Sequence, residues 1–488
     1  MAARLLELLG GSGASEDVVI KGVTNDSRAV SPGVLFAALP GSNVDGRDFV
    51  DSALEKGAAA ILMDRSSVAE TLSVPVIQDQ NPRKRYAEIA ANFAGKQPET
   101  QVAVTGTNGK TSVADFARQI WQAVGKSAAS IGTLGVRSDK LTLPGGLTTP
   151  DPVALHQILS KLRSKKVNRV AVEASSHGLD QYRLDGMSLK AAAFTNLSRD
   201  HLDYHKTEPA YFYAKARLFG ELLRPGALAV INIDSPRGRT LDDIAWGRSL
   251  ERLTYGLDKQ ADLQVASVGP TALGLDLKIN VRGKTHSVKL PLIGDFQAMN
   301  ALAAAGLVSV DGVEPEDAVT AFEALVGVPG RLELVGQKAG AGFFVDYAHT
   351  PDGLRTVLLA ARAHKPRKLH VVFGCGGDRD TGKRPLMGKV AAELADAVYV
   401  TDDNPRTEDA AAIRAQIIEA CPGATEIADR ASAIEAVAQA ASAGDMIIIA
   451  GKGHETGQIL ADRTIEYSDI ETVRALLSDS SSSAVGEG

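Results

Sequence analysis

The sequence predicts an α/β protein of three domains, the central one built on a mainly parallel sheet and the last on a Rossmann-like, doubly wound sheet. Three observations carry that prediction. Apolar runs of strand length alternate with amphipathic stretches of helix length, the pattern of parallel strands joined by crossover helices. Polar, turn-rich punctuation falls at Gly95-Lys96-Gln97-Pro98 and at Val328-Pro329-Gly330. The chain of 488 residues is also too long for one ordinary hydrophobic core.

Taken in order, residues 1–98 form a first domain of short strands and helices, broken at Asn25-Asp26-Ser27, Ser31-Pro32-Gly33 and Pro40-Gly41-Ser42-Asn43. Residues 99–330 form the second, with strands expected at Arg169–Glu173, Ala191–Asn196 and Ala227–Asn232, and an antiparallel annex between about Leu253 and Leu292. In residues 331–488 the alternation restarts, with strands at Gly342–Tyr347, Leu369–Gly374, Ala397–Thr401 and Met446–Ala450 and Ala-rich helices between them. The Ser-rich tail, residues 478–488, is expected to be disordered.

Composition excludes several classes. With 44% hydrophobic and 23% charged residues the chain reads as a soluble globular protein. A net charge of −6 gives no electrostatic footprint for nucleic acid or for an anionic membrane. No apolar run approaches the length of a membrane span. The start, Met-Ala-Ala-Arg-Leu-Leu-Glu-Leu-Leu, is too short and too acidic for a signal peptide. Two cysteines, Cys375 and Cys421, make no disulfide framework. A cytoplasmic monomer is the expectation.

The second domain opens on Val102-Ala103-Val104-Thr105-Gly106-Thr107-Asn108-Gly109-Lys110-Thr111, an apolar strand running through a Gly-rich turn into an amphipathic helix. Such a turn aims backbone N–H groups at phosphate oxygens, and the helix dipole adds to them. Lys110 would reach the outer phosphates and the Thr111 hydroxyl would ligate Mg²⁺. The spacing departs from G-x-x-x-x-G-K-[ST], because Val104 stands at the first glycine. Glu173 ends a later strand and is placed to hold Mg²⁺. Asn196-Leu197-Ser198-Arg199-Asp200-His201 follows the next strand, and His201 is read as a ligand of a second divalent ion.

Lys215 falls on an apolar stripe with Tyr211, Phe212, Leu218, Phe219 and Leu222. Its amine either snorkels to water, or is buried, loses its charge and takes up CO₂ as a carbamate; the pattern alone leaves both open. In the third domain each of four expected strand ends carries a polar cluster, at residues 346–349, 376–379, 403–406 and 451–455. Ligands of doubly wound sheets bind at those ends. Arg379, Lys383, Arg384, Arg406 and Lys452, set beside Asp403 and Glu455, read as a site for a zwitterion.

Together the motifs resemble the Mur ligase family of amide-bond-forming enzymes. They are Thr-Gly-Thr-Asn-Gly-Lys-Thr, Glu-Ala-Ser-Ser-His, Asn-Leu-Ser-Arg-Asp-His-Leu-Asp-Tyr-His, Gly-Asp-Phe-Gln-Ala-Met-Asn, Gly-Arg-Leu-Glu and Asp-Tyr-Ala-His-Thr-Pro-Asp, in the family's order along the chain. Asp403-Asn404-Pro405-Arg406 is similar to the signature of the family's diaminopimelate-adding branch, and an arginine there suits the extra carboxylate of meso-diaminopimelate.

The resemblance implies a ligase using ATP, Mg²⁺ and UDP-MurNAc-L-Ala-D-Glu, with a carbamate on Lys215. It places Asn25, Ser27, Ser42, Asn43 and Val44 at the uridine nucleotide, and Thr148, Thr149, Ser175, Gln181 and Arg183 at the sugar and peptide. It places Gly106, Thr107, Asn108, Gly109, Lys110, Thr111, Ser112, Asn300, Arg331 and Asp346 at ATP. Thr111, Glu173, His201 and carbamylated Lys215 fall at the metals, and Lys110, Glu173, His201 and Lys215 at the catalytic centre. Arg379, Asp403, Asn404, Pro405, Arg406, Gly451 and Glu455 fall at diaminopimelate. One departure is visible: Ala103 stands where many relatives have glycine, and little effect is expected. The competing readings are a lysine-adding or folylpolyglutamate-type ligase and, in a different class, a nucleotide-dependent switch that hydrolyses ATP without ligation.

Overall fold

The structure is a computed structural model that describes residues 2–41, 44–65, 72–198, 200–271 and 274–482. Its elements group into two compact units. One holds residues 1–264 with 280–284 and 300–321, and the other holds 265–279, 285–299 and 322–488.

In the first unit, strands Gly22–Thr24, Val34–Ala37, Ala60–Asp64 and Val76–Asp79 pair in that order, all parallel. Asn81 caps the helix that follows, Pro82–Ala94, by accepting from Lys84 N, and Pro82 supplies the preset φ of its first turn. Tyr86 and Ile89 on that helix pack with Leu35, Leu62 and Ile77 into one core.

The phosphate-loop strand, Thr100–Thr105, lies in the middle of a second sheet. Its neighbours are Leu189–Phe194 on one side and Arg169–Glu173 on the other, both parallel to it. In register, Val104 stands beside Glu173 and Thr105 beside Phe194. The order continues through Leu228–Asn232 and Glu251–Gly256 on the first side and Ala128–Gly132 and Gly135–Ser138 on the other. The Gly-rich turn therefore opens between the strand ends that carry Glu173 and the segment from Asn196 to His201. The annex expected after Leu253 is present as three consecutive strands, Leu263–Pro270, Leu275–Val281 and Lys284–Leu290.

The C-terminal sheet runs Glu333–Lys338, Ala341–Asp346, Met446–Ala450, Leu369–Phe373, Ala397–Val400 and Thr425–Glu426, antiparallel only at its first pair. Insertion of the late strand Met446–Ala450 between the two early ones makes neighbours of the loops after Asp346, Ala450, Phe373 and Val400. No helix among the described residues is long and apolar enough to cross a membrane.

One expectation is corrected at the C-terminus. The helix Asp469–Ser482 runs into the segment expected to be disordered, because Ile470 and Val473 are buried against the sheet core; residues 483–488 lie outside the described ones. The helix also brings in Asp469, fully buried, whose two oxygens accept from Arg430 Nε and Nη2 at 2.7 and 2.8 Å. Arg430 Nη2 donates further to the carbonyl of Ala450 at 2.8 Å. Removing one member of such a pair strands the other charge in the core. Asp469→Ala is therefore expected to lower unfolding stability by about 3–5 kcal/mol, the cost of an uncompensated buried charge, read as a shifted chemical-denaturation midpoint. An unchanged midpoint contradicts this.

Candidate functional site

Two glycines shape the phosphate loop. Gly106 (φ +151°) and Gly109 (φ +87°) take left-handed backbone, and a Cβ on either would collide, with Thr195 Oγ1 and Asn300 Oδ1 respectively. The loop is pinned from the next strand's end. Asn108 N donates to Asn196 Oδ1 at 2.9 Å, Thr195 Oγ1 donates to Asn108 O at 2.6 Å, and Thr107 N donates to Asn196 O at 2.9 Å. The helix Lys110–Ala123 then begins, carrying buried Thr111 and Ser112 in its first turn.

Lys110 Nζ folds back on the loop, donating to Gly106 O at 2.9 Å and Thr107 O at 2.8 Å. Thr111 Oγ1 donates to Glu173 Oε2 at 3.0 Å, and Thr133 N donates to Glu173 Oε1 at 2.9 Å. Glu173, 2% exposed, thus stands at the helix start, as its strand-end position predicts. Hard oxygen donors at a phosphate loop suit Mg²⁺. His201 follows the next strand of the sheet. It takes φ +52°, approaches Asp200 at 3.5 Å and stacks edge-on against His177 with ring centroids 5.0 Å apart. Among the described residues no group of three or more His, Cys, Asp or Glu is gathered closely enough to hold a metal ion.

Lys215 lies on the helix Glu208–Arg217, which Thr207 caps by accepting from Ala210 N. It is 1% exposed, so snorkelling is excluded. Its Nζ donates to Gly106 O at 2.7 Å and stands 4.4 Å from the centre of the Tyr211 ring. Burial first, and then the neighbouring Lys110 ammonium, hold its pKa well below the usual lysine range, only partly opposed by Asp200. The group is suited to be a neutral amine.

A cavity of about 250 Å³ opens between the N-terminal and central sheets of this unit, lined by Asn25, Leu39, Arg83, Tyr86, Leu147, Asp151, Pro152, Gln181 and Arg183. Asn25, Gln181 and Arg183 are among the expected substrate residues. Arg183 Nη2 donates to Gln181 Oε1 at 2.7 Å, and its Nη1 donates to Thr149 O at 2.8 Å. Thr149 and Ser175 are tied hydroxyl to hydroxyl at 3.0 Å, and Thr148 to Thr133 at 3.1 Å. These threonines brace the walls and do not line the cavity. Ser27 lies on a 3₁₀ turn, Val44 is exposed, and Ser42 and Asn43 lie outside the described residues. Arg83, Tyr86 and Asp151 were missed by the sequence reading. Tyr86 OH donates to Asp151 Oδ1 at 3.4 Å across 65 positions of chain, a pairing that no local pattern announces.

In the other unit, the loops after the four neighbouring strand ends converge. Asp346 is buried and accepts from Leu332 N at 2.6 Å and Ala348 N at 2.7 Å. Burial pushes its pKa up to about 6, opposed by Arg331, whose guanidinium lies 4.6 Å over the Tyr347 ring. Asn404 Nδ2 donates to Glu455 Oε2 at 3.1 Å, and Gly451 N donates to Asp346 O at 3.1 Å. Asp403 Oδ1 accepts from Asn404 N at 2.7 Å, and Pro405 is buried. Arg406, at φ +53°, donates Nη1 to Gly377 O at 2.8 Å. Arg379 is exposed, donating only at 3.1 Å to Asp378 O among the described residues.

Two of the cations expected to face a zwitterion are instead internal. Arg384, 1% exposed, is spent on Glu408 and Gln416, and Lys452, fully buried, on Asn404 and Glu455. Burying either side chain without such partners would be costly.

The N-terminal, central and C-terminal parts match in turn three descriptions: Mur ligase family, catalytic domain, over residues 19–94; Mur ligase middle domain over 104–308; and Mur ligase, glutamate ligase domain, over 330–453. The chain belongs to the Mur ligase family. Among Mur ligases it is 51% identical over 484 residues to the UDP-N-acetylmuramoyl-L-alanyl-D-glutamate–2,6-diaminopimelate ligase of Caulobacter vibrioides, covering 98% of this chain and 99% of that one. The corresponding ligase of Bradyrhizobium diazoefficiens is 49% identical over 481 residues, covering 97% and 99%. A solved structure of a UDP-N-acetylmuramoyl-L-alanyl-D-glutamate–2,6-diaminopimelate ligase superposes with a TM-score of 0.74 at 34% identity, covering 98% and 99%. A MurF ligase from Thermotoga maritima in complex with ADP shares the fold at a TM-score of 0.62 and 20% identity, covering 94% and 97%.

The raised Asp346 has a consequence for pH. Its protonated form is favoured in the fold, so the stability it contributes is fully present below pH 3.8 and is lost as pH rises through about 6. Carboxyl-carbon NMR, with Asp346→Asn to assign the signal, is expected to show a titration midpoint near 6. A midpoint in the ordinary aspartate range overturns the assignment of burial as the dominant cause.

Proposed function

We propose that this Mur ligase is an ATP-dependent amide-bond ligase of peptidoglycan precursor synthesis, adding meso-diaminopimelate to UDP-MurNAc-L-Ala-D-Glu. The observation that carries the reading is the meeting of Asp403-Asn404-Pro405-Arg406 with Gly451 and Glu455, across the one strand that separates Ala397–Val400 from Met446–Ala450, a set of groups complementary to an amino acid with an additional carboxylate. The two near-50% relatives carry the corresponding name over nearly their whole length. We assign residues 1–98 to the UDP-sugar, 99–330 to ATP and 331–488 to the amino acid.

A free carboxylate is a poor acyl donor, so the terminal carboxylate of the UDP-linked dipeptide first attacks the γ-phosphate of ATP. ADP leaves and an acyl phosphate forms. The amine of diaminopimelate then displaces phosphate, losing a proton as the amide is made. Gly106 to Ser112 surround the phosphates, with the backbone N–H groups not already given to Asn196 turned to the phosphate oxygens, and Lys110 offsets charge on the transferring phosphoryl. We assign Asn300, Arg331 and Asp346 to ATP as well. Thr111, Glu173, His201 and Lys215 as its carbamate would hold Mg²⁺, which would supply positive charge to offset that of the phosphates. The carbamate forms when the neutral Lys215 amine adds to CO₂ and releases a proton, turning a buried base into a carboxylate-like oxygen donor. Asn25, Gln181 and Arg183 hold the UDP-linked substrate with Ser27, Ser42, Asn43, Val44, Thr148, Thr149 and Ser175. Arg406, Arg379, Asp403, Asn404, Pro405, Gly451 and Glu455 grip diaminopimelate.

The test is ADP release with UDP-MurNAc-L-Ala-D-Glu, comparing meso-diaminopimelate with L-lysine. Turnover with diaminopimelate alone, and a product heavier by one such residue, is expected. Preference for lysine leaves the ligase and overturns its specificity, and amino-acid-independent ADP release overturns the ligase. Lys215→Ala is expected to lose most activity and to recover part of it with added acetate or formate; full activity in the variant removes the carbamate from the mechanism. Arg406→Ala is expected to raise the KM for diaminopimelate more than tenfold, the scale of a lost charged hydrogen bond. An unchanged KM moves carboxylate recognition elsewhere.

A further inference from the structure

Lys452 has no part in the mechanism proposed above, yet it is fully buried against Asn404 and Glu455 of the proposed amino-acid site. It sits between Gly451 and Gly453, in a turn closed by Glu455 N donating to Lys452 O at 3.0 Å. Its Nζ donates to Asn404 Oδ1 at 3.0 Å and to Glu455 Oε2 at 3.1 Å. Ile459 N also donates to Asn404 Oδ1, at 2.9 Å. With two donors on Oδ1, the amide of Asn404 has one orientation, and its Nδ2 turns to Glu455 Oε2 at 3.1 Å. A flipped amide would set Nδ2 against an ammonium and a backbone N–H, three donors with no acceptor.

Glu455 is thereby held by one oxygen. Oε2 takes both donors, while Oε1 has no hydrogen-bond partner among the described residues on a side chain that is 33% exposed. The second N–H of Asn404 Nδ2 has the same freedom. An acceptor bearing negative charge and a neutral donor are thus fixed side by side. We infer that Lys452 is a positioning residue: it never touches the amino acid, but it locks Asn404 and Glu455 into the pair that receives the substrate's ammonium and carboxylate. This rests on the reading of residues 403–406 and 451–455 as the diaminopimelate site.

The arrangement separates binding from chemistry. Without the ammonium, Glu455 swings on a flexible stem and Asn404 loses a donor, so the amino acid binds poorly while nucleotide and UDP-linked substrate bind as before. The experiment is steady-state kinetics of the full chain with Lys452→Met, which keeps the stem and removes the charge. The KM for meso-diaminopimelate is expected to rise at least tenfold. The kcat should change less than threefold, and the KM values for ATP and UDP-MurNAc-L-Ala-D-Glu less than twofold. In Lys452→Ala, ethylammonium is expected to restore diaminopimelate affinity in part, and ethanol of similar size is not. If the Met variant does not fold, judged by its thermal transition, the same split is read on Lys452→Gln, which keeps one donor.

An unchanged diaminopimelate KM in an active variant overturns the inference and leaves the proposed function standing. So does an equal rise in all three KM values, the mark of a merely structural lysine, or equal rescue by ethanol. A wild-type enzyme without diaminopimelate-dependent turnover overturns the proposed function, and this inference with it.

Discussion

Two lysines share one carbonyl. Lys110 Nζ and Lys215 Nζ both donate to Gly106 O, at 2.9 and 2.7 Å, on a loop whose other contacts are already fixed by the neighbouring strand end. Two ammonium groups at that spacing repel, and one of them is almost wholly desolvated, so the pair is cheapest with a single charge. Lys110, half-buried and donating to the carbonyls of both Gly106 and Thr107, is the natural holder of it. Lys215, enclosed by Tyr211 and the apolar face of its own helix, is the natural neutral partner. The catalytic chemistry proposed for the central domain depends on this division: one lysine answers phosphate charge, while the other keeps a nucleophilic lone pair.

The C-terminal unit solves the same problem in the opposite way. Lys452 is as deeply buried as Lys215, but it has a carboxylate 3.1 Å away and an amide oxygen at 3.0 Å. Arg430 likewise has both oxygens of Asp469, and its pKa is raised despite complete burial because the ion pair outweighs desolvation. Arg430, paired with Asp469, is held above the usual arginine range, whereas Lys215, whose desolvation is only partly opposed by Asp200, is held well below the usual lysine range. The distinction rests on what stands within about 3 Å of the nitrogen, where local attraction competes directly with the cost of desolvation.

Much of this was legible in the sequence, for a physical reason. The strand–turn–helix junction at Gly106 to Thr111, the carboxylate ending a strand at Glu173 and the polar strand ends of the last domain are local features, set by residues within one or two turns of each other. Lys215 was legible as an anomaly, a charge on an apolar stripe, but the stripe could not say whether the amine reached water. That needed the Gly106 carbonyl, 109 residues away. The cavity residues Arg83, Tyr86 and Asp151 were illegible for the same reason: helix-start chemistry explains Asn81-Pro82 and Asp151-Pro152 completely, so no residue was left over to signal a second role. Arg384 and Lys452 misled in the reverse direction, because a charge in a loop looks the same in sequence whether it faces solvent or is folded inward onto a partner.

Sheet order converts those local features into a site. In the C-terminal sheet the strand Met446–Ala450 is the last of the six in sequence, yet it inserts between Ala341–Asp346 and Leu369–Phe373. Had it added at the outer edge, Glu455 and Lys452 would lie several strand widths from Asp346, at about 4.8 Å per strand, beyond the reach of any side chain. Insertion instead lets Gly451 N bond to Asp346 O and lets Lys452 reach Asn404, so Asp346 and Asn404 are braced by one turn. The packing of a single strand thus decides whether these polar residues form a site or a row of unrelated loop charges.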